Sequence, residues 1–103
     1  MLLIAFLRFG PNKAAAPQHM EGRQAWLAAG LADGVLLASG SLVPTEGQGG
    51  GGAVLAHGLT RAAFEARLAE DPFVAEGVVE ADVQVIDISR ADPRLAFLAE
   101  GAA

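Results

Sequence analysis

The chain is predicted to adopt an α+β fold of the split βαβ kind, a four-stranded antiparallel sheet with two helices on one face. Three observations predict it. A continuous apolar segment that reads as a buried strand opens the chain, two segments of helical period carry clear start and stop signals, and an alternating segment follows the later helix.

The elements follow in order. Residues 2 to 9, "LLIAFLRF", form the first strand, closed by Gly10, Pro11 and Asn12. The opening segment is too early interrupted by Arg8 to be a membrane span, and it lacks the charged start of a signal peptide. A helix then starts near Pro17, which suits a first helical turn, and stops at Asp33 and Gly34. Its apolar stripe is Met20, Leu27 and Leu31, with Ala16 and Ala28 nearby. "GVLLASGSLV", from Gly34 to Val43, is the second strand and "GAVLAHG" the third, so the glycine-rich run between them makes a hairpin loop. That run lacks the Gly-Lys-Ser/Thr ending of a phosphate loop. Thr60 caps a second helix, with Leu59 placed to staple onto Phe64, and Pro72 disfavours helical geometry at Asp71. "VVEADVQVIDI" is the fourth strand, with Val79, Ala81, Val83 and Val85 on one face, and a short tail helix is expected at Leu95 to Leu98.

Composition narrows the function. The 103 residues suit one domain, residues 1–103, with a core over 1–88 and a tail over 89–103. A net charge of −5 with no basic patch argues against nucleic acid as a partner. The lack of cysteine removes disulfides and thiolate chemistry and makes the cytoplasm the expected compartment. Two histidines far apart in sequence do not make a metal site, and no cofactor is expected.

The first strand predicts a protein partner. Leu2, Ile4 and Phe6 project to one face and Leu3, Ala5, Leu7 and Phe9 to the other, yet two helices cover one face only. An apolar patch above about 400 Å² is rarely left bare on a monomer. A second copy packed sheet to sheet would cover it, so a homodimer is expected.

The candidate chemistry lies on the first helix and after the second. His19, Arg23 and Trp26 project along one helical stripe, which can be an acid/base site or an ordinary amphipathic edge. Asp71 follows Glu70 at the carbonyl end of the second helix, where a carboxylate is disfavoured by about 0.3–1 kcal/mol. Asp-Pro is common turn chemistry, but a nearby cation would also offset the repulsion, and both His19 and Arg23 are candidates. Ser39 and Ser41, sharing a strand face with Val35 and Leu37, are expected to supply hydrogen bonds inside a mainly apolar cleft. No nucleophile elbow accompanies either serine, so a hydrolase triad is poorly supported.

Together "PQHMEGRQAWL", "GVLLASGSL", "GAVLAHG" and "AEDPFVAEGVVEADVQV" resemble the YCII-related (YciI-like) family from Met1 to about Ile88. The most specific piece is the Asp-Pro-aromatic-Val-x-x-Gly-Val segment, here "DPFVAEGVV". The resemblance implies a ferredoxin-like fold that dimerises through its sheets into an α+β barrel. It also implies an active-site His-Asp pair, matching His19 and Asp71, and lyase-, dehydrochlorinase- or isomerase-like chemistry on small ring compounds. The chain departs from the family at Ser41, where a proline is common. Two readings follow. In the first, His19, oriented by Asp71, moves a proton on a small molecule while Arg23, Ser39 and Ser41 bind it. The alternative is a non-catalytic dimeric metabolite-binding or accessory module.

Overall fold

A computed structural model describes residues 1–47 and 49–99. Its four strands are β1 (Leu2–Phe9), β2 (Leu36–Ser41), β3 (Gly52–Ala56) and β4 (Val79–Ile86). Helices α1 (Ala16–Ala32), α2 (Arg61–Leu68) and the one-turn α3 (Pro72–Ala75) lie between them. All neighbouring strands are antiparallel in the order β2-β3-β1-β4, which is the ferredoxin-like split βαβ topology.

Register explains the core. Leu3, Ala5 and Leu7 on β1 stand opposite Ala56, Val54 and Gly52 on β3, and opposite Val85, Val83 and Ala81 on β4. This face is closed by Phe64 and Leu68 of α2 and by Leu36, all buried. Burying a side chain of this size contributes about 1.5–3 kcal/mol, so the Phe64 face alone gives α2 a reason to dock. The Thr60 hydroxyl accepts the Ala63 N–H at 3.1 Å, which caps α2 as its sequence requires.

Two expectations are corrected here. The buried side of α1 is not Met20–Leu27–Leu31: Met20 and Leu31 are 44% and 47% exposed, whereas Arg23 and Gly30 are buried with Trp26 and Leu27 packed beside them. The helix is rotated because Gly30 lets it come down on Leu36, where any Cβ would collide, and because Arg23 has a buried partner. Strict alternation in β2 also fails. A register irregularity between Leu36 and Ala38 puts Leu36 opposite Ala56, then Ser39 opposite Val54 and Ser41 opposite Gly52. The extra residue makes Ser39 and Ser41 share the helix-covered face with Leu36 rather than with Val35 and Leu37.

The other sheet face carries no helix. Leu2, Ile4 and Phe6 are half-buried there, beside Ala53 and Leu55 of β3, with the exposed Glu80, Asp82 and Gln84 along the β4 edge. The tail forms a 3₁₀ turn at Pro93–Leu98, where Phe97 meets the His57 ring edge-on at 4.9 Å. The amino group of Met1 donates to the Leu98 carbonyl. No helix among the described residues is long and apolar enough to cross a membrane.

Candidate active site

The chain leaves α2 at Leu68 and restarts helically at Pro72, which makes Asp71 the N-cap of α3. Proline at the first position of α3 has no N–H to satisfy, and the Asp71 Oδ1 accepts the next one, from Phe73, at 3.0 Å. The helix end that disfavours a carboxylate is therefore followed at once by a helix start that favours one.

The second oxygen, Oδ2, accepts a hydrogen bond from Nη1 of Arg23, which reaches across from α1. Asp71 is fully buried and Arg23 is 8% exposed. The guanidinium is within cation–π reach of two aromatic rings, 5.3 Å from the Phe73 centroid and 5.8 Å from that of Trp26. Burial pushes the Asp71 carboxyl pKa above its ordinary value, although the Arg23 charge and the Phe73 N–H pull against that rise. Arg23, of the two cations considered, is thus the one that meets Asp71.

His19 sits one turn earlier on α1, half-buried, and no hydrogen bond joins it to Asp71. Its spacing of four residues from Arg23 puts both on one helical stripe. Trp26 takes a structural place, its indole N–H donating to the Arg67 carbonyl at 3.2 Å and so linking α1 to α2.

Arg23 opens onto two adjoining cavities over the end of the sheet. An inner lobe of about 180 Å³ is walled by Leu7, Phe9, Phe73 and Val79, with Gly51 and Gly52. An outer lobe of about 280 Å³ is walled by Met20, Gln24, Leu27 and Ser39. Arg23, Gly40, Ser41 and Phe73 line both. Gly51, at φ +118°, passes the Leu7 carbonyl so closely that a side chain there would clash, and this lets β3 form the floor. The structure therefore brings Arg23, Ser39, Ser41 and, behind Arg23, Asp71 to one cleft, while His19 lines neither lobe.

Phe73, Phe9 and Met20 escaped the sequence reading as cleft residues. Phe73 had a signal, since it is the aromatic of "DPFVAEGVV". Phe9 and Met20 had none, because each looks like any other apolar residue in its element. Among the described residues no cluster of three or more His, Cys, Asp or Glu could hold a metal ion.

The fold has a solved counterpart. The 5-chloro-2-hydroxyhydroquinone dehydrochlorinase of Burkholderia phenoliruptrix AC1100, in complex with 2,5-dihydroxybenzoquinone, superposes with a TM-score of 0.65 over 84% of this chain and 93% of that one. At 14% identity this likeness establishes the shared fold. No curated protein matches the chain in sequence. The model of the YCII-related domain matches residues 1–93, and the chain therefore belongs to the YCII-related family.

Proposed function

We propose that the protein is a cytoplasmic, cofactor-independent enzyme of lyase, dehydrochlorinase or isomerase type acting on a small molecule. The observation that carries the reading is Arg23, held by a wholly buried Asp71 and opening onto a cleft it shares with Ser41, one helical turn from His19. The dehydrochlorinase of the same fold adds support from its chemistry.

His19, which lines neither lobe but is followed on α1 by Met20 of the outer lobe, is the acid/base in this scheme and acts from the edge of the cleft. Removal of H⁺ and Cl⁻ from a chlorinated hydroxylated ring, or movement of a proton around a lactone, needs one group that takes and returns a proton, and a histidine supplies about 10²- to 10⁴-fold. Arg23 steadies the negative charge that develops on the ring oxygens. Asp71 acts through Arg23, as a positioning residue. Ser39 and Ser41 offer hydroxyls to the bound molecule.

The active form is a homodimer in this reading. Leu2, Ile4, Phe6 and Leu55 make a partly exposed apolar strip on the helix-free face, and a second sheet would cover it. Sedimentation equilibrium at micromolar concentration tests this, and a single monomeric species would remove it.

Chloride release from 5-chloro-2-hydroxyhydroquinone, followed with an ion-selective electrode, tests the catalytic reading. The expected result is turnover that His19→Gln lowers by about 10²- to 10⁴-fold. Equal rates in both proteins would overturn the role of His19. The bond between Asp71 and Arg23, rather than His19, is the observation that favours the non-catalytic metabolite-binding module. That reading predicts ligand binding without turnover in the wild type and no effect of His19→Gln.

A further inference from the structure

The two lobes of the cleft differ in chemistry, and the difference specifies a class of ligand. The inner lobe is apolar and aromatic, with Phe9, Phe73, Leu7 and Val79 around about 180 Å³. The outer lobe carries the side-chain amide of Gln24 and the hydroxyl of Ser39 around about 280 Å³. They meet at Arg23 and Ser41, which line both.

Charge at this junction runs against the rest of the molecule. The chain has 12 Asp and Glu against 7 Lys and Arg, yet neither lobe is lined by an acid. Asp71 is fully buried behind Arg23, so the cleft meets the guanidinium and not the carboxylate. A guanidinium has five N–H donors in a fixed fork, and the bond to Asp71 uses Nη1 alone, leaving donors for a second acceptor. Lys13, with its ammonium 4.2 Å from the Phe9 ring centroid, adds positive charge beside the inner lobe.

We propose that the cleft takes a ring compound bearing an ionised oxygen, with the ring in the inner lobe and the oxygen at the junction, and that Ser41 with Arg23 forms the subsite for that oxygen. Ser41 is then the specificity-determining residue. Its hydroxyl is available because the irregularity in β2 puts it on the cleft face, and a ring oxygen held there is met by a hydroxyl from β2 and a cation from α1. This deepens the functional reading above and rests on the same cleft, but it concerns binding and not proton transfer.

Calorimetric titration with 2,5-dihydroxybenzoquinone, which is ionised at neutral pH, and with its uncharged 2,5-dimethoxy ether tests the subsite on the wild type and on Ser41→Ala. The wild type is expected to bind the ionised probe at least about tenfold more tightly than the ether, as befits hydrogen bonds to a charged group. Ser41→Ala is expected to lose about tenfold for the ionised probe and less than about twofold for the ether. Equal affinity for the two probes, equal losses on substitution, or no binding of either probe to the wild type would each overturn the proposal. The acid/base reading is judged separately by the His19→Gln turnover comparison, so selective binding without turnover keeps the subsite and removes the enzyme, and turnover without charge preference does the reverse.

Discussion

Two arginine–aspartate pairs tie α1 to the helices beside it, and their residue types do not distinguish them. Arg23 and Asp71 join the middle of α1 to the start of α3, with side chains 10% and 0% exposed. Arg67 and Asp33 join α2 to the C-cap of α1, with side chains 27% and 46% exposed. The aspartates titrate in opposite directions from the same ordinary value of 3.8, Asp71 raised chiefly by burial and Asp33 lowered chiefly by its hydrogen bond to Arg67. Solvent decides the sign. Where water remains, the partner dominates; where it is removed, desolvation outweighs the partner.

The largest expected effect separates charge from packing at the buried pair. Asp71→Asn keeps the cap of α3, since asparagine also accepts a backbone N–H, but leaves the Arg23 charge buried without a counterion. The expected loss is about 3–5 kcal/mol in urea unfolding. Adding Arg23→Met to the Asn variant removes the stranded charge and is expected to return stability to within about 1 kcal/mol of the wild type. If the double variant is as unstable as the single one, the pair holds the fold and not the cleft. If stability returns while chloride release stays absent, the pair belongs to the chemistry.

The buried pair also marks where sequence reasoning ran out. Topology, the Thr60 cap and the two faces of β1 were legible because period and capping are local properties. Asp71 stood out for the same reason, through its misplaced charge. Its partner did not, because His19 and Arg23 lie on one stripe four residues apart, and only where α1 sits along its axis relative to α3 chooses between them. That placement depends on tertiary contacts such as Gly30 meeting Leu36, which have no sequence signature. The position of Ser39 and Ser41 was likewise half legible: the cleft was expected, but the face was inverted by one irregular residue in β2.

Gly30 supplies the next largest effect, because it lies between the two pairs on α1. Gly30→Ala gains about 0.8–1 kcal/mol of helix propensity but forces a methyl into Leu36, for which overpacking costs about 1–3 kcal/mol. The net expectation is a loss of about 0–2 kcal/mol by urea unfolding. Because Leu36 begins β2, the same change is expected to weaken 2,5-dihydroxybenzoquinone binding at Ser41. A stabilised variant with unchanged binding would show that α1 does not rest on this contact.

The smallest effect is at the exposed pair, and it should run with pH. Asp33 has its folded pKa below 3.8, so its contribution is fully present above that value and is lost as pH falls through the lower, folded one. Asp33 also accepts the Val35 N–H at 3.0 Å, which asparagine can still do, so Asp33→Asn removes the charge and keeps the turn. The expected outcome is a flatter stability curve for Asp33→Asn than for the wild type in the acid range below 3.8, with little difference at neutral pH in 1 M salt, where surface charges are screened beyond about 3 Å. A difference that persists unchanged in high salt would mean that the Arg67 pair is shielded from solvent after all, and the contrast between the two ends of α1 would then need another cause.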